Sequence, residues 1–364
     1  MNTTVNKNHY VAIMAGGIGS RFWPMSRTEF PKQFLDILNT GRTLIQGTFD
    51  RFAGFIPVEN IYIVTAENYK DIVISQLPEL DPANILCEPS RKNTAPCIAY
   101  ISYKLHQLNP NANLICAPAD HLISDIENFR EICINALHFT SHIKALITLG
   151  IKPTNPNTGY GYIQYEQFAV SDNVYKVKTF TEKPDRELAR TFVTSGDFLW
   201  NAGIFVWEVK NIIKAFEKLL PEIHEVFDAE RSNFNTKKEA SAIERIYPQC
   251  INISIDYGIM EKADNVYVIP SSFGWSDLGT WASAYETIEK DYLGNAVAGN
   301  NVMIIDATNN MVHADNKKLI VLQGMEEYVV VDTKDVLLIC KKDKEQEIKE
   351  YVAEIKRNKG DKYL

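Results

Sequence analysis

Apolar and polar positions along this chain fall into two textures. Up to about residue 285, short apolar runs rich in β-branched residues recur at 10–15 (YVAIMA), 61–66 (IYIVTA), 113–119 (NLICAPA) and 147–151 (ITLGI). Continuous runs of that length predict strands buried on both faces. Longer mixed segments at 68–76 and 94–107 predict helices between them, and strand followed by helix in alternation predicts an α/β layered domain. The stretch 160–207 is richer in strands, and helical spacing returns between Val209 and Arg245. After about Tyr292 the texture changes to short β-runs separated by Asn, Asp and Gly, closed by an amphipathic helix at 344–357 (KEQEIKEYVAEIKR). We therefore expect domains at 1–290 and 291–364, the second small and β-rich.

Composition narrows the classes. The chain has 364 residues, 38 basic and 46 acidic side chains, and a net charge of −8. Such a surface does not track a nucleic-acid backbone, so no nucleic-acid partner is expected, and a polyanionic ligand must be held by local cations, amides or a metal. The six cysteines form no Cys-x-x-Cys pair and mostly sit in apolar runs, which predicts free thiols in a reducing compartment. The first ten residues, MNTTVNKNHY, carry no apolar signal stretch, and no run approaches the ~20 apolar residues of a membrane span. A cytoplasmic protein without membrane attachment is the expectation.

The candidate chemistry begins where the first strand runs into GGIGSRFWPMSRTEFPKQF (16–34). Gly16, Gly17 and Gly19, followed by Ser20, let the backbone turn closely around a ligand, and successive amides in such a turn form an anion nest. Arg21, Arg27 and Lys32 add fixed cations, so a nucleoside triphosphate is the ligand class indicated. The Walker pattern is absent, and a dinucleotide GxGxxG from Gly17 would need glycine where Phe22 stands.

The whole string GGxGxRxWPxSRxxxPKQF resembles the mannose-1-phosphate guanylyltransferases, within the wider sugar-phosphate nucleotidyltransferases. Trp23, Ser26, Arg27, Gln33 and Phe34 are the residues that point to the mannose branch. The resemblance extends to about residue 285. It implies a Rossmann-like, GT-A-like mixed sheet flanked by helices, with a small C-terminal domain of left-handed β-helix type. EPSRKNTAPCIAY (88–100) resembles a family segment near base and phosphates, which makes Glu88, Asn93 and Thr94 nucleotide-binding candidates; Lys92 stands where the family usually has arginine. CAPADH (116–121) and FGWSDLGTW (273–281) match the family's metal-binding aspartates, here Asp120 and Asp277. Hard carboxylate oxygens suit Mg²⁺, with Mn²⁺ as the alternative. His121 is read as a strand-end structural residue.

PNTGYGYI, FTEKP, LWNAGIFVW and SIDYGIMEK resemble the sugar-phosphate stations. They give Gly161 for close approach to the ring, Glu182 and Asn201 for hydroxyls, Asp256 for the sugar or the support of its pocket, and Lys183 as a point charge on the 1-phosphate. The aromatics Trp200, Phe205 and Trp207 are assigned to the core or pocket wall. The implied reaction is GTP plus α-D-mannose 1-phosphate giving GDP-mannose and pyrophosphate, by in-line displacement. Arg21 and Lys32 would hold the leaving phosphates, and Lys183 would keep the two anions from repelling each other. Another sugar 1-phosphate or base, as in GDP-heptose or a UDP-sugar, and a non-catalytic nucleotide-sugar sensor are the alternatives. The resemblance further implies a homodimer and the short, single-function form, because the histidines do not cluster as a zinc isomerase site would require.

Overall fold

The computed structural model describes residues 6–17, 19–315 and 317–364; the first five residues of the N-terminal stretch read above lie outside them. The apolar runs form a nine-stranded sheet. Its strands are β1 (His9–Ala15), β2 (Ile61–Ala66), β3 (Ile85–Glu88), β4 (Asn113–Pro118), β5 (Leu146–Ile151), β6 (Gly161–Ser171), β7 (Val174–Glu182), β8 (Phe198–Glu208) and β9 (Val266–Ser271), in the order β3-β2-β1-β4-β8-β5-β9-β7-β6. β1, β2, β3 and β4 run parallel, as their two-sided burial requires. β8 enters antiparallel between β4 and β5, which makes the sheet mixed. Helices α1 (Thr94–Leu108) and α2 (Val209–Leu219) place Ile98, Ile101, Leu105, Ile212 and Phe216 against Val64, Cys116 and Trp207 in one core. Fully burying one such side chain stabilises the fold by about 1.5–3 kcal/mol, so the sheet is a firm platform for the loops at its strand ends. Trp200, Phe205 and Trp207 are buried in this framework.

The chain groups into two compact units. The first comprises 1–16, 49–118 and 123–275; the second comprises 17–48, 119–122 and 276–364. The glycine-loop segment and the turn carrying Asp120 are therefore built together with the C-terminal part, a grouping unlike the sequential 1–290 and 291–364 division. The reason lies in the second unit's own core. Phe22, Trp23, Ile37 and Leu44 pack with Trp281 and Tyr285 of helix α3 (Trp281–Thr287), with Met311, Val329 and Val331, and with Ile348 at the start of helix α4 (Ile348–Lys359). The Phe22 and Trp281 rings meet edge to face at 4.9 Å.

The short C-terminal runs are β10 (Ala296–Ala298), β11 (Val302–Ile305), β12 (Met311–His313), β13 (Ile320–Gln323), β14 (Tyr328–Asp332) and β15 (Leu337–Lys341). β10-β12-β14-β15 form one sheet and β11-β13 another, parallel except for the last pair. Alternate strands thus wind between two sheets as a β-helix. Buried asparagines close its corners: the Asn310 amide donates to Asn295 Oδ1 and to the Met325 carbonyl, while Asn310 Oδ1 accepts from Tyr328 N–H. Such ladders satisfy backbone groups that a tight coil would otherwise bury unpaired. The terminal helix begins later than its sequence pattern suggests, because 342–347 is a 3₁₀ turn.

Candidate active site

Within the second unit, Gly19, Ser20, Arg21, Lys32, Asp120, His121, Asp277, Gly279 and Lys349 line a polar pocket of about 310 Å³. Of the loop glycines, Gly19 is the one whose own geometry demands glycine. Its φ is +67°, and a Cβ there would lie 2.4 Å from Lys32 Cβ. A Cβ on Gly17 would meet nothing within 4 Å.

Asp120 and Asp277, far apart in sequence, share this pocket wall. Lys32 joins them. Its ammonium lies 2.8 Å from Asp120 Oδ2 and donates to the carbonyls of Asp277 and Leu278 at 3.0 and 2.9 Å. An ammonium has three donors, so Lys32 is fully engaged by protein, buried at 4% exposure. This differs from the phosphate-reaching role expected of it. Burial would push the Asp120 carboxyl up, yet Lys32 and His121 more than offset that and hold it below the usual carboxylate value. Asp277 Oδ1 accepts from Gly279 N–H at 3.1 Å. Arg21 lines the same pocket with its Nε buried and unpartnered.

Arg27, expected as another loop cation, lies elsewhere in this unit. Its guanidinium forks onto both oxygens of Asp335, at 2.9 and 2.5 Å, and its Nε donates to the Pro24 carbonyl. Arg27 ties the segment after the glycine loop to the β-helix and is not among the residues lining the polar pocket.

The expected sugar residues gather within the first unit. Asn201 Nδ2 donates to Asp256 Oδ1 at 2.8 Å, and its Oδ1 accepts from Thr148 Oγ and Gly203 N–H. Lys183 Nζ meets Glu182 Oε1 at 2.7 Å. Glu182 Oε2 is buried without a partner, an acceptor available to a ligand hydroxyl. Gly161 lies directly beneath: a Cβ there would fall 2.4 Å from Glu182 Oε2. Burial first, then repulsion from Glu182, pushes the Asp256 carboxyl up to about 6 despite Lys183 and Asn201.

The third group is in the same unit. Glu88 is buried at 7% exposure and accepts from the Tyr247 hydroxyl; burial pushes its carboxyl up to about 7. A Cβ on Gly16 would lie 3.5 Å from Glu88 Oε2. Asn93 caps α1 at φ +68°, and the Thr94 hydroxyl accepts from Ile255 N–H. Lys92 donates to the Pro248 carbonyl, while Arg91 reaches the Tyr69 hydroxyl. Sequence reasoning missed Tyr247, Thr148 and Lys349, none of which lies in a recognisable motif.

Hard oxygen donors from Asp120 and Asp277 fit a divalent cation that keeps water and phosphate oxygens in its shell. Among the described residues no group of three or more His, Cys, Asp or Glu could cage a metal by itself.

Comparison with known proteins bears on the family and the fold. Residues 10–293 match the nucleotidyl transferase family and residues 299–355 the MannoseP isomerase/GMP-like beta-helix domain. The chain is 38% identical to the alginate biosynthesis protein AlgA of Pseudomonas putida, covering 93% of this chain and 70% of that protein. It is 34% identical to a mannose-1-phosphate guanylyltransferase of Escherichia coli, covering 96% of this chain and 74% of that protein. A crystal structure from Thermus thermophilus, described as a mannose-1-phosphate geranyltransferase, superposes with a TM-score of 0.86 at 30% identity, covering 96% and 99% of the two chains.

Proposed function

The chain belongs to the nucleotidyl transferases, in the mannose-1-phosphate guanylyltransferase branch, and from that premise we infer how its residues divide the work of the reaction. The protein transfers GMP from GTP to α-D-mannose 1-phosphate, giving GDP-mannose and pyrophosphate. The carrying observation is the pocket where Asp120 and Asp277 face the Gly19–Arg21 turn.

A phosphate monoester oxygen is a competent nucleophile at neutral pH, so the reaction needs no activated serine or cysteine. It needs positioning and charge neutralisation. Gly16, Gly17, Gly19 and Ser20 present backbone to the triphosphate, and Arg21, with its unpartnered Nε, receives the β- and γ-phosphates. Lys32 acts as a positioning residue that holds the two aspartate segments together. Glu88, Asn93 and Thr94 shape the nucleotide end, Glu88 under the start of the loop. Gly161, Glu182, Asn201 and Asp256 take the sugar, with Lys183 on its phosphate. Asp120 and Asp277 would hold the divalent ion, Mg²⁺ by preference, which when bound neutralises phosphate charge.

The quaternary and cellular assignments are also proposals. A homodimer is supported by Met303, Ile305 and Val321, which are apolar and exposed on the β11-β13 sheet, with Met303 and Val321 in register and the exposed Leu319 just before β13. Light scattering showing only monomer would remove it. A cytoplasmic setting is supported by six free cysteines, five of them buried; among the described residues no helix is long and apolar enough to cross a membrane.

Pyrophosphate release, measured with each nucleoside triphosphate against each sugar 1-phosphate and Mg²⁺, tests the function. GTP with mannose 1-phosphate is expected to exceed every other pair by at least tenfold. Preference for a heptose phosphate or for UTP would reassign the substrate, and no release with any pair would leave a sensor.

A further inference from the structure

One cation in the phosphate pocket comes from outside the glycine loop. Lys349 is the second residue of α4 and lines the pocket with Gly19, Ser20, Arg21, Asp120 and Asp277. Its place is fixed by what surrounds it. Ile348, the residue before it, is fully buried in the core with Phe22 and Trp281. Glu345, one turn earlier, is buried and accepts from Ala282 N–H at 2.5 Å, which pins the 3₁₀ turn to the start of α3. The helix end is therefore held rigidly beside the Ser20–Phe22 turn, while the lysine itself is exposed.

The charges of the pocket give the lysine its task. Lys32 is matched to Asp120. The pocket cations left without an ion-paired carboxylate among the described residues are Arg21 and Lys349. Two other lysines of the same segment are ion-paired, Lys344 with Glu347 and Lys356 with Asp361. A divalent ion on the two aspartates leaves the remaining phosphate oxygens of a triphosphate to be met by donors, and an ammonium on a flexible stem suits that as a point charge.

Resting on the nucleotide reading above, we propose that Lys349 is a phosphate-binding residue of this site, contacting with Arg21 the pyrophosphate portion of the triphosphate and of the released product. The terminal helix is then part of the nucleotide site, beyond any packing role.

The test measures inorganic pyrophosphate binding with Mg²⁺ by calorimetry, alongside KM for GTP and for mannose 1-phosphate, on wild type, Lys349→Ala, Lys349→Glu and Lys349→Arg. Exposure of the side chain makes unchanged melting temperatures the expected control. Loss of one charge-assisted contact should weaken pyrophosphate binding and raise KM for GTP by about tenfold in the alanine variant, and by more in the glutamate variant. KM for mannose 1-phosphate should stay within twofold, and arginine should restore most of the loss. Pyrophosphate binding and KM for GTP within twofold of wild type in both the alanine and glutamate variants would overturn the proposal, as would a wild-type protein that binds no pyrophosphate. Lys349-dependent pyrophosphate binding in a protein that makes no GDP-mannose would instead uphold Lys349 and overturn the reaction assigned above.

Discussion

Lys32 stands 2.8 Å from the Asp120 carboxylate while donating to the two backbone carbonyls at Asp277 and Leu278. One side chain thus ties the Asp120 carboxylate to the backbone of the turn that carries Asp277. Removing one partner of a largely buried ion pair leaves an uncompensated charge and costs about 3 kcal/mol. Lys32→Met should therefore lower stability by roughly that amount and cut turnover by about 10²–10³-fold. Lys32→Arg should not restore activity, because a planar guanidinium cannot direct three donors as an ammonium does. The Asp120 carboxyl is depressed in the fold, so its contribution is complete above the unfolded carboxylate value of about 4 and is lost as pH falls further. Denaturant titrations of the methionine variant and wild type at pH 7 and pH 3 should accordingly converge at the lower pH.

The sugar cluster makes the opposite prediction. Asp256 is pushed up to about 6 by burial and by Glu182. A raised carboxyl stabilises the fold below its unfolded value of about 4, and that contribution disappears as pH rises through about 6. Asp256→Asn should thus be more stable than wild type at pH 8, by about 3 kcal/mol at 1.36 kcal/mol per unit, and equal to it at pH 4. The same variant should raise KM for mannose 1-phosphate at least tenfold and leave KM for GTP unchanged. Thermal melts across pH and steady-state kinetics read the two effects separately. Greater stability with poorer binding would mark Asp256 as strained for function.

Burial was legible in the sequence, while strand direction was not. The runs at 10–15, 61–66, 113–119 and 147–151 are strands within one residue at each end. LWNAGIFVWEV reads equally well as a parallel or an antiparallel strand, because an apolar run reports burial on both faces and says nothing of polarity. Its antiparallel insertion between β4 and β5 had no sequence signal. The coiling of the C-terminal module was visible as Asn-rich turns, yet its repeat was hidden. Asn295 and Asn310 stack fifteen residues apart, whereas the next corner carries Met325 and contributes only a carbonyl. At the site, the motif residues Asp120, Asp277 and Arg21 do share a pocket. Arg27 was unreadable because its partner Asp335 lies 308 residues away in a surface turn. Lys349 sits in a run of alternating charges, a pattern that elsewhere marks a solvated helix face.

Gly161 offers a steric test of the sugar cluster. A Cβ at this position would lie 2.4 Å from Glu182 Oε2 and 3.3 Å from both Asn201 Cβ and the Phe180 ring. Only the carboxylate can give way, and Glu182 is held by Lys183 at 2.7 Å. Gly161→Ala should displace Glu182, costing about 1–3 kcal/mol of stability and lowering kcat/KM for mannose 1-phosphate by about 100-fold, with KM for GTP within twofold of wild type. An alanine variant with normal sugar kinetics would place Glu182 outside the binding site.

Arg27 and Asp335 give the last prediction, which separates motif membership from catalysis. The pair has bidentate geometry, but the side chains are 22% and 39% exposed, so solvent screens much of the attraction. The Arg27 hydrogen bond is the main cause holding the Asp335 carboxyl below its usual value. Arg27→Ala should lower stability by no more than about 1 kcal/mol and leave kcat within threefold of wild type, unlike Arg21→Ala, which should lose at least 100-fold. Asp335→Ala should behave like Arg27→Ala, and the double variant should be no worse than either single one. Such non-additivity is what a direct pair produces and what two independent surface charges do not. A double-mutant cycle by urea denaturation, run with turnover on the same four proteins, measures both. A large loss of turnover in Arg27→Ala with the fold intact would return this arginine to the phosphates.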